Sequence, residues 1–176
     1  MRKCVATLLL LVSASLEIHA QDTRVSPLAM TRMRYKDTYV KITYGQPHKR
    51  GREIFGSLVP YGEVWRTGAN EATEITLTGD ILINGVLLKA GTYSIFTIPD
   101  RIKWTIIINR ELNLWGSYNY NAKLDLFRFD APVQEVSGES VEALNITLDQ
   151  NNDRAELSFM WDNTKVTVPI RFVDEK

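Results

Sequence analysis

The sequence predicts an all-β protein: an antiparallel β-sandwich, jelly-roll-like or meander, with one long ordered loop. Three observations carry this. Short segments alternate apolar and polar residues with period two, as strands with one buried face do. An Asn-Gly pair between two apolar triplets marks a tight hairpin. No stretch sustains the 3.6-residue apolar stripe of an amphipathic helix, and strands joined by short turns over one domain imply a sandwich or barrel.

The elements follow in order. Residues 38–44, TYVKITY, set Val40 and Ile42 against Lys41 and Thr43 and are expected as the first strand. A strand over 74–78 comes next, then 80–88 folded in two about Asn84-Gly85, residues that tolerate the positive φ of a type I′ turn. Strands are expected at 92–98 and at 103–109, KWTIIIN, rich in β-branched residues. Residues 124–129, 141–148, 154–161 and 164–172 complete the set, and turn residues at 149–153 and at Asp162-Asn163 make the last three a meander. Pro169 has no N–H to give a ladder and is expected at an edge or a strand end. Residues 52–58 have room for one helical turn.

Residues 1–20 read as a secretory signal peptide: Arg2 and Lys3, an apolar run from Val5 to Val12, and small Ala20 before Gln21. The run falls short of the about 20 residues a spanning helix needs, so no membrane span is expected. Residues 21–37 are expected as an N-terminal arm and 38–173 as a single domain. Export places the protein in the periplasm or outside the cell. Cys4 precedes the apolar run, where no lipid is attached, and it is the one cysteine of the chain. The mature part therefore has neither disulfides nor thiolate ligands, and packing must carry its stability. Removing Arg2, Lys3 and Glu17 from 21 basic and 21 acidic residues leaves 19 and 20, with no basic patch for a polyanion, so no nucleic-acid partner is expected. His48 is the one histidine left, which argues against a zinc site and a histidine triad; no metal and no cofactor are expected.

Two segments lack strand periodicity. Residues 45–72 are too long for an ordinary turn, yet Ile54, Phe55, Leu58, Val59, Tyr61, Val64 and Trp65 supply apolar surface to pack them, so the loop is expected to be ordered. Residues 109–121, NRELNLWGSYNYN, place Trp115, Tyr118 and Tyr120 around a glycine.

The run GREIFGSLVPYGEVWRTGANEATEI, followed by LKAGTYSIFTIP, KWTIIIN, LWGSYNYN and TKVTVPI, resembles the bacterial secreted family catalogued as domain of unknown function 2911, over about residues 44–172. The resemblance implies an exported β-rich domain and supplies no activity, substrate or cofactor. Trp65, Arg66, Gly68, Asn70, Glu71 and Trp115 match characteristic positions of that family, and His48 does not.

The two segments are expected to wall one pocket for a small polar or glycan-like ligand. Arg66 offers a planar fork for a carboxylate or phosphate; its competing role is a salt bridge to Glu71 or Glu63. Asn70 and Glu71 would orient polar groups or, alternatively, cap the loop's own backbone. Trp115 or Tyr118 would form an apolar wall, and Trp65 is the expected anchor holding the loop to the core. A structural or protein-interaction module is the alternative. A hydrolase would require Glu71 to face a second carboxylate, such as Asp125 or Glu63.

Overall fold

The computed structural model describes residues 24–173. The signal peptide expected at 1–20 lies outside the described residues. Among the described residues eleven antiparallel strands make up the architecture: β1 (Leu28–Tyr35), β2 (Thr38–Gly45), β3 (Ala69–Leu77), β4 (Ile81–Ile83), β5 (Val86–Leu88), β6 (Gly91–Pro99), β7 (Lys103–Asn109), β8 (Asp125–Glu135), β9 (Val141–Asn151), β10 (Arg154–Asp162) and β11 (Thr164–Phe172). One 3₁₀ turn, Ala122–Leu124, precedes β8. Among the described residues no helix is long and apolar enough to cross a membrane.

The strands run as one hydrogen-bonded path, β1-β2-β3-β6-β7-β8-β11-β10-β9, with the β4–β5 hairpin attached to β11. β8 makes the turn of the path: it pairs with β7 as far as Pro132 and with β11 from Val133. The sheet curls until β1 lies beside β9, giving a nearly closed, barrel-like form. Residues 46–49 draw that side together. Lys49 N donates to Glu142 O at 2.6 Å, Leu144 N to Pro47 O at 2.9 Å, and Gln46 Nε2 to Leu144 O at 3.0 Å. They thereby cover the edge that β9 would otherwise leave unpaired.

Alternation sorts the side chains. Val40, Ile42, Ile75, Ile95, Ile106, Ile108, Leu157, Phe159, Val166 and Val168 point into one main core. The run of isoleucines in β7 does not alternate with polar residues, and the structure shows why. Ile106 and Ile108 face that core, whereas Ile107 joins Phe96, Ala72 and Leu114 in a second cluster on the opposite face. Val64 and Tyr120, from the two irregular segments, close this cluster. A strand covered on both faces reads as a continuous apolar run.

Three expectations need correction. Residues 21–37 were expected as an arm, but β1 occupies Leu28–Tyr35 and pairs with β2 along its whole length, so the first strand precedes Thr38. Only Met33 of β1 is buried, which left its alternation too weak to read. Residues 52–58 form turns closed by a Phe55–Val59 bridge, not a helical turn. Pro169 sits within β11, in the interval between its pairing with β8 at Val166 and with β4 at Ile170. There its missing N–H costs no ladder bond on that side.

Candidate functional site

The loop between β2 and β3 is ordered by backbone bonds at both ends. After pairing with β9 it returns along β6, where Trp65 N donates to Thr97 O at 2.7 Å and Thr97 N to Trp65 O at 2.9 Å. Residues 66–72 then bow outward, with Thr73 N bonded to Arg66 O and Thr73 Oγ1 to Thr67 O. The chain crosses itself closely at this point. A Cβ at Gly45 would lie 2.0 Å from Ala69 O, so only glycine fits. Thr67 (φ 59) and Asn70 (φ 62) adopt left-handed backbone, uncommon for a β-branched residue above all. Thr67 is held there by its Oγ1 contact with Thr97 Oγ1 at 3.2 Å.

The bow pairs with the second irregular segment. Ala72 N donates to Leu114 O at 2.8 Å and Gly116 N to Asn70 O at 2.9 Å. Beneath the loop, Trp65 stacks on Trp161 with ring centres 6.1 Å apart and meets Phe55 and Trp104 edge-on, while its Nε1 donates to Gly68 O. Trp65 thus packs the loop against the inner core.

Around this junction lies an open cleft of about 490 Å³, with Arg52, Trp65, Arg66, Asn70, Tyr118 and Trp161 among its walls. Arg66, Asn70 and Tyr118 therefore share one cleft. Asn70 Nδ2 donates to Ser26 O at 3.2 Å, tying the chain before β1 to the rim. Tyr118 is 83% exposed and lies across Gly116. A Cβ on Gly116, whose φ is 73°, would come within 2.8 Å of the Tyr118 ring and 3.2 Å of an Arg66 terminal nitrogen. The salt bridge weighed for Arg66 is absent: no side-chain hydrogen bond or ion pair uses its guanidinium among the described residues, and its Nε is buried without a partner.

Glu71 falls elsewhere. Neighbouring side chains on a strand point to opposite faces, and Glu71 lines a second cleft of about 400 Å³ with Arg24, Thr43, Glu74 and Asn113. Arg24 donates to it at 2.9 Å. Trp115 pairs with Glu71 through its backbone, and its side chain is 60% exposed. Asp125 is held by Asn109 Nδ2 at 2.7 Å, Tyr120 OH at 2.7 Å and Arg128 Nε at 2.6 Å. Burial, and then the hydrogen bond to Asp125, push the Tyr120 hydroxyl up to about 12, so it remains a donor at neutral pH. Outside the Arg66 cleft, where residues 46–49 meet β9, Asp162 accepts from Lys49 and Ser140. Burial works to raise its pKa, but the hydrogen bonds from Lys49 and Ser140 outweigh it and leave the carboxyl below its ordinary value.

Sequence reasoning missed Arg52 and Trp161 as parts of this cleft, and Gly116 as the residue that lets Tyr118 and Arg66 meet beside it. Trp161 reads as strand core, and it is, but its ring also forms part of the cleft wall. Gly116 could have been found, since a glycine amid three aromatics implies a close approach.

These features define the class: an all-β antiparallel domain, nearly closed, with a cleft where two irregular segments meet. The chain belongs to the family described as Protein of unknown function (DUF2911), whose model matches residues 26–170 and so takes in β1. No curated protein and no solved structure matches the chain.

Proposed function

We propose that this is an exported, non-catalytic binding domain whose Arg66 cleft takes a small polar or glycan-like ligand. The observation that carries the reading is Tyr118: a ring 83% exposed, seated over Gly116 at the rim of a cleft built by both irregular segments. A monomeric protein gains nothing in stability from such a ring, whereas a flat face beside amide and guanidinium groups suits a sugar. Export is supported by the pattern of residues 1–20. We read the scaffold as a sandwich in which β8 passes between layers, supported by its change of partner after Pro132.

Two-dimensional NMR during titration with glucose, N-acetylglucosamine and glucuronate tests the binding reading. At least one sugar should shift the Trp65 indole N–H and the Asn70 side-chain amide, and Tyr118→Ala should weaken its binding by about 1–2 kcal/mol, the scale of an aromatic stacking contact. Shifts confined to other surfaces, or none, would overturn it. For export, the protein recovered from the cell envelope should begin near Gln21; a cytoplasmic chain retaining Met1 would overturn that.

A further inference from the structure

We infer, on the strength of the binding cleft read above, that its ligand carries an oxyanion on a sugar-sized ring, held by the Arg66 guanidinium. Arginines near the cleft are otherwise committed to the protein. Arg24 pairs with Glu71, Arg50 donates to Val25 O, and Arg52 donates to Lys49 O and His48 O. Arg66 alone of these has no acceptor among the described residues, although its Nε is shut away from water.

A guanidinium whose Nε is shut away gives up part of its hydration, and ordinarily a carboxylate or a carbonyl replaces it. Among the described residues none does, and the terminal nitrogens, also without a protein partner, stay open. The acceptor that fits is one arriving from outside, and a carboxylate or phosphate matches the planar fork with two parallel bonds.

The electrostatics of the cleft agree. Its walls include two arginines, Arg52 and Arg66, and no carboxylate, so an anion entering meets only positive charge. The carbonyls that engage Arg52 are neutral and leave its charge uncancelled. The neighbouring cleft shows the contrast, since Glu71 and Glu74 face the single Arg24 there and leave it acidic. A volume of about 490 Å³ accommodates a single ring. Trp65 and Tyr118 offer apolar surface for that ring, and Asn70 offers an amide for its hydroxyls. Gly116 lets the guanidinium and the Tyr118 ring occupy one corner, so that the charged end and the flat face of one ligand can be met together.

Calorimetric titration with glucuronate, glucose 6-phosphate and glucose, at low and high salt, tests this. At least one anionic sugar should bind about tenfold or more tighter than glucose, a difference that shrinks with salt. Whichever of the two binds tighter identifies carboxylate or phosphate as the oxyanion. Arg66→Met should abolish the preference, and a denaturant-unfolding transition no lower than that of the unaltered protein shows that the variant is folded. Arg66→Lys, which keeps charge without the fork, should restore only part of it. Glucose binding as tightly as both anions, or a preference that survives Arg66→Met, overturns the inference and leaves the cleft reading standing. Failure of all three sugars to bind at the cleft overturns both.

Discussion

Arg66 and Glu71 stand five positions apart on one bowed stretch of chain, carry opposite charges, and were natural partners on paper. Each instead belongs to its own cleft. Glu71 turns to the face where Arg24 answers it at 2.9 Å, and both side chains remain substantially exposed. Arg66 turns to the other face, against Gly116, with its Nε buried and no acceptor among the described residues. An exposed ion pair contributes at most about 1 kcal/mol and asks nothing of a ligand. A buried donor left unmatched costs about 1–3 kcal/mol, and a chain retains such a cost where an outside group can offset it. The contrast separates a charge that is already satisfied from one held in reserve.

The largest effect expected concerns the support shared by the Arg66 side. Trp65→Ala should destabilise the protein by roughly 3 kcal/mol in denaturant unfolding, the range for deleting a packed aromatic, because Phe55, Trp104 and Trp161 all lose a partner. Next comes Gly116→Ala, where the left-handed backbone alone costs about 1–2 kcal/mol. Its Cβ should also displace Tyr118 and Arg66 and so weaken sugar binding. A variant that unfolds normally and binds normally would remove Gly116 from the cleft.

Arg66→Met should leave stability unchanged or raise it by about 1 kcal/mol, since it deletes an unmatched donor while keeping the stem. A loss comparable to that of Trp65→Ala would show that Arg66 clamps the loop and would collapse the comparison with Glu71. Acid should act where residues 46–49 close on β9, through Asp162. Its folded pKa lies below the unfolded value of about 4, so its contribution is complete above that value and is lost as the pH falls through the lower folded value. Hydrogen exchange of Lys49 and Leu144 amides should rise over that window, and Lys49→Ala should flatten the response. The smallest effect belongs to the other cleft: Arg24→Ala should change stability by less than about 1 kcal/mol and leave sugar binding untouched. A marked loss of binding would mean the two clefts act as one.

Much of the scaffold was legible locally. Residues 103–109 and 164–172 were read with the bounds of β7 and β11, because a β-branched run between turn residues is a short-range pattern. Asn84 and Gly85 both take positive φ between β4 and β5, as the hairpin pattern predicts. β1 escaped notice because apolar Leu28 and Met30 sit on its exposed face and polar Thr31 on its inner one, so residue type does not follow the alternation of burial. The start of β3 escaped because ANEAT has no large apolar residue and its middle, residues 70–72, pairs with residues 114–116 of an irregular segment.

For the site, composition alone marked both irregular segments, and Arg66, Asn70 and Tyr118 do meet in one cleft. Glu71 does not join them, for strand alternation sends it to the opposite face, a consequence of where β3 begins that the local sequence did not reveal. The sequence by itself thus determined the strand chemistry, the ordered loop and the residue types available for recognition, since these depend on periodicity and side-chain character within a few positions. Tertiary structure alone decided the closure of residues 46–49 on β9, the packing of Trp65 on Trp161, and the unmatched state of Arg66. Whether a charge has a partner depends on which distant segments the fold brings within about 4 Å of it, and no local pattern encodes that distance.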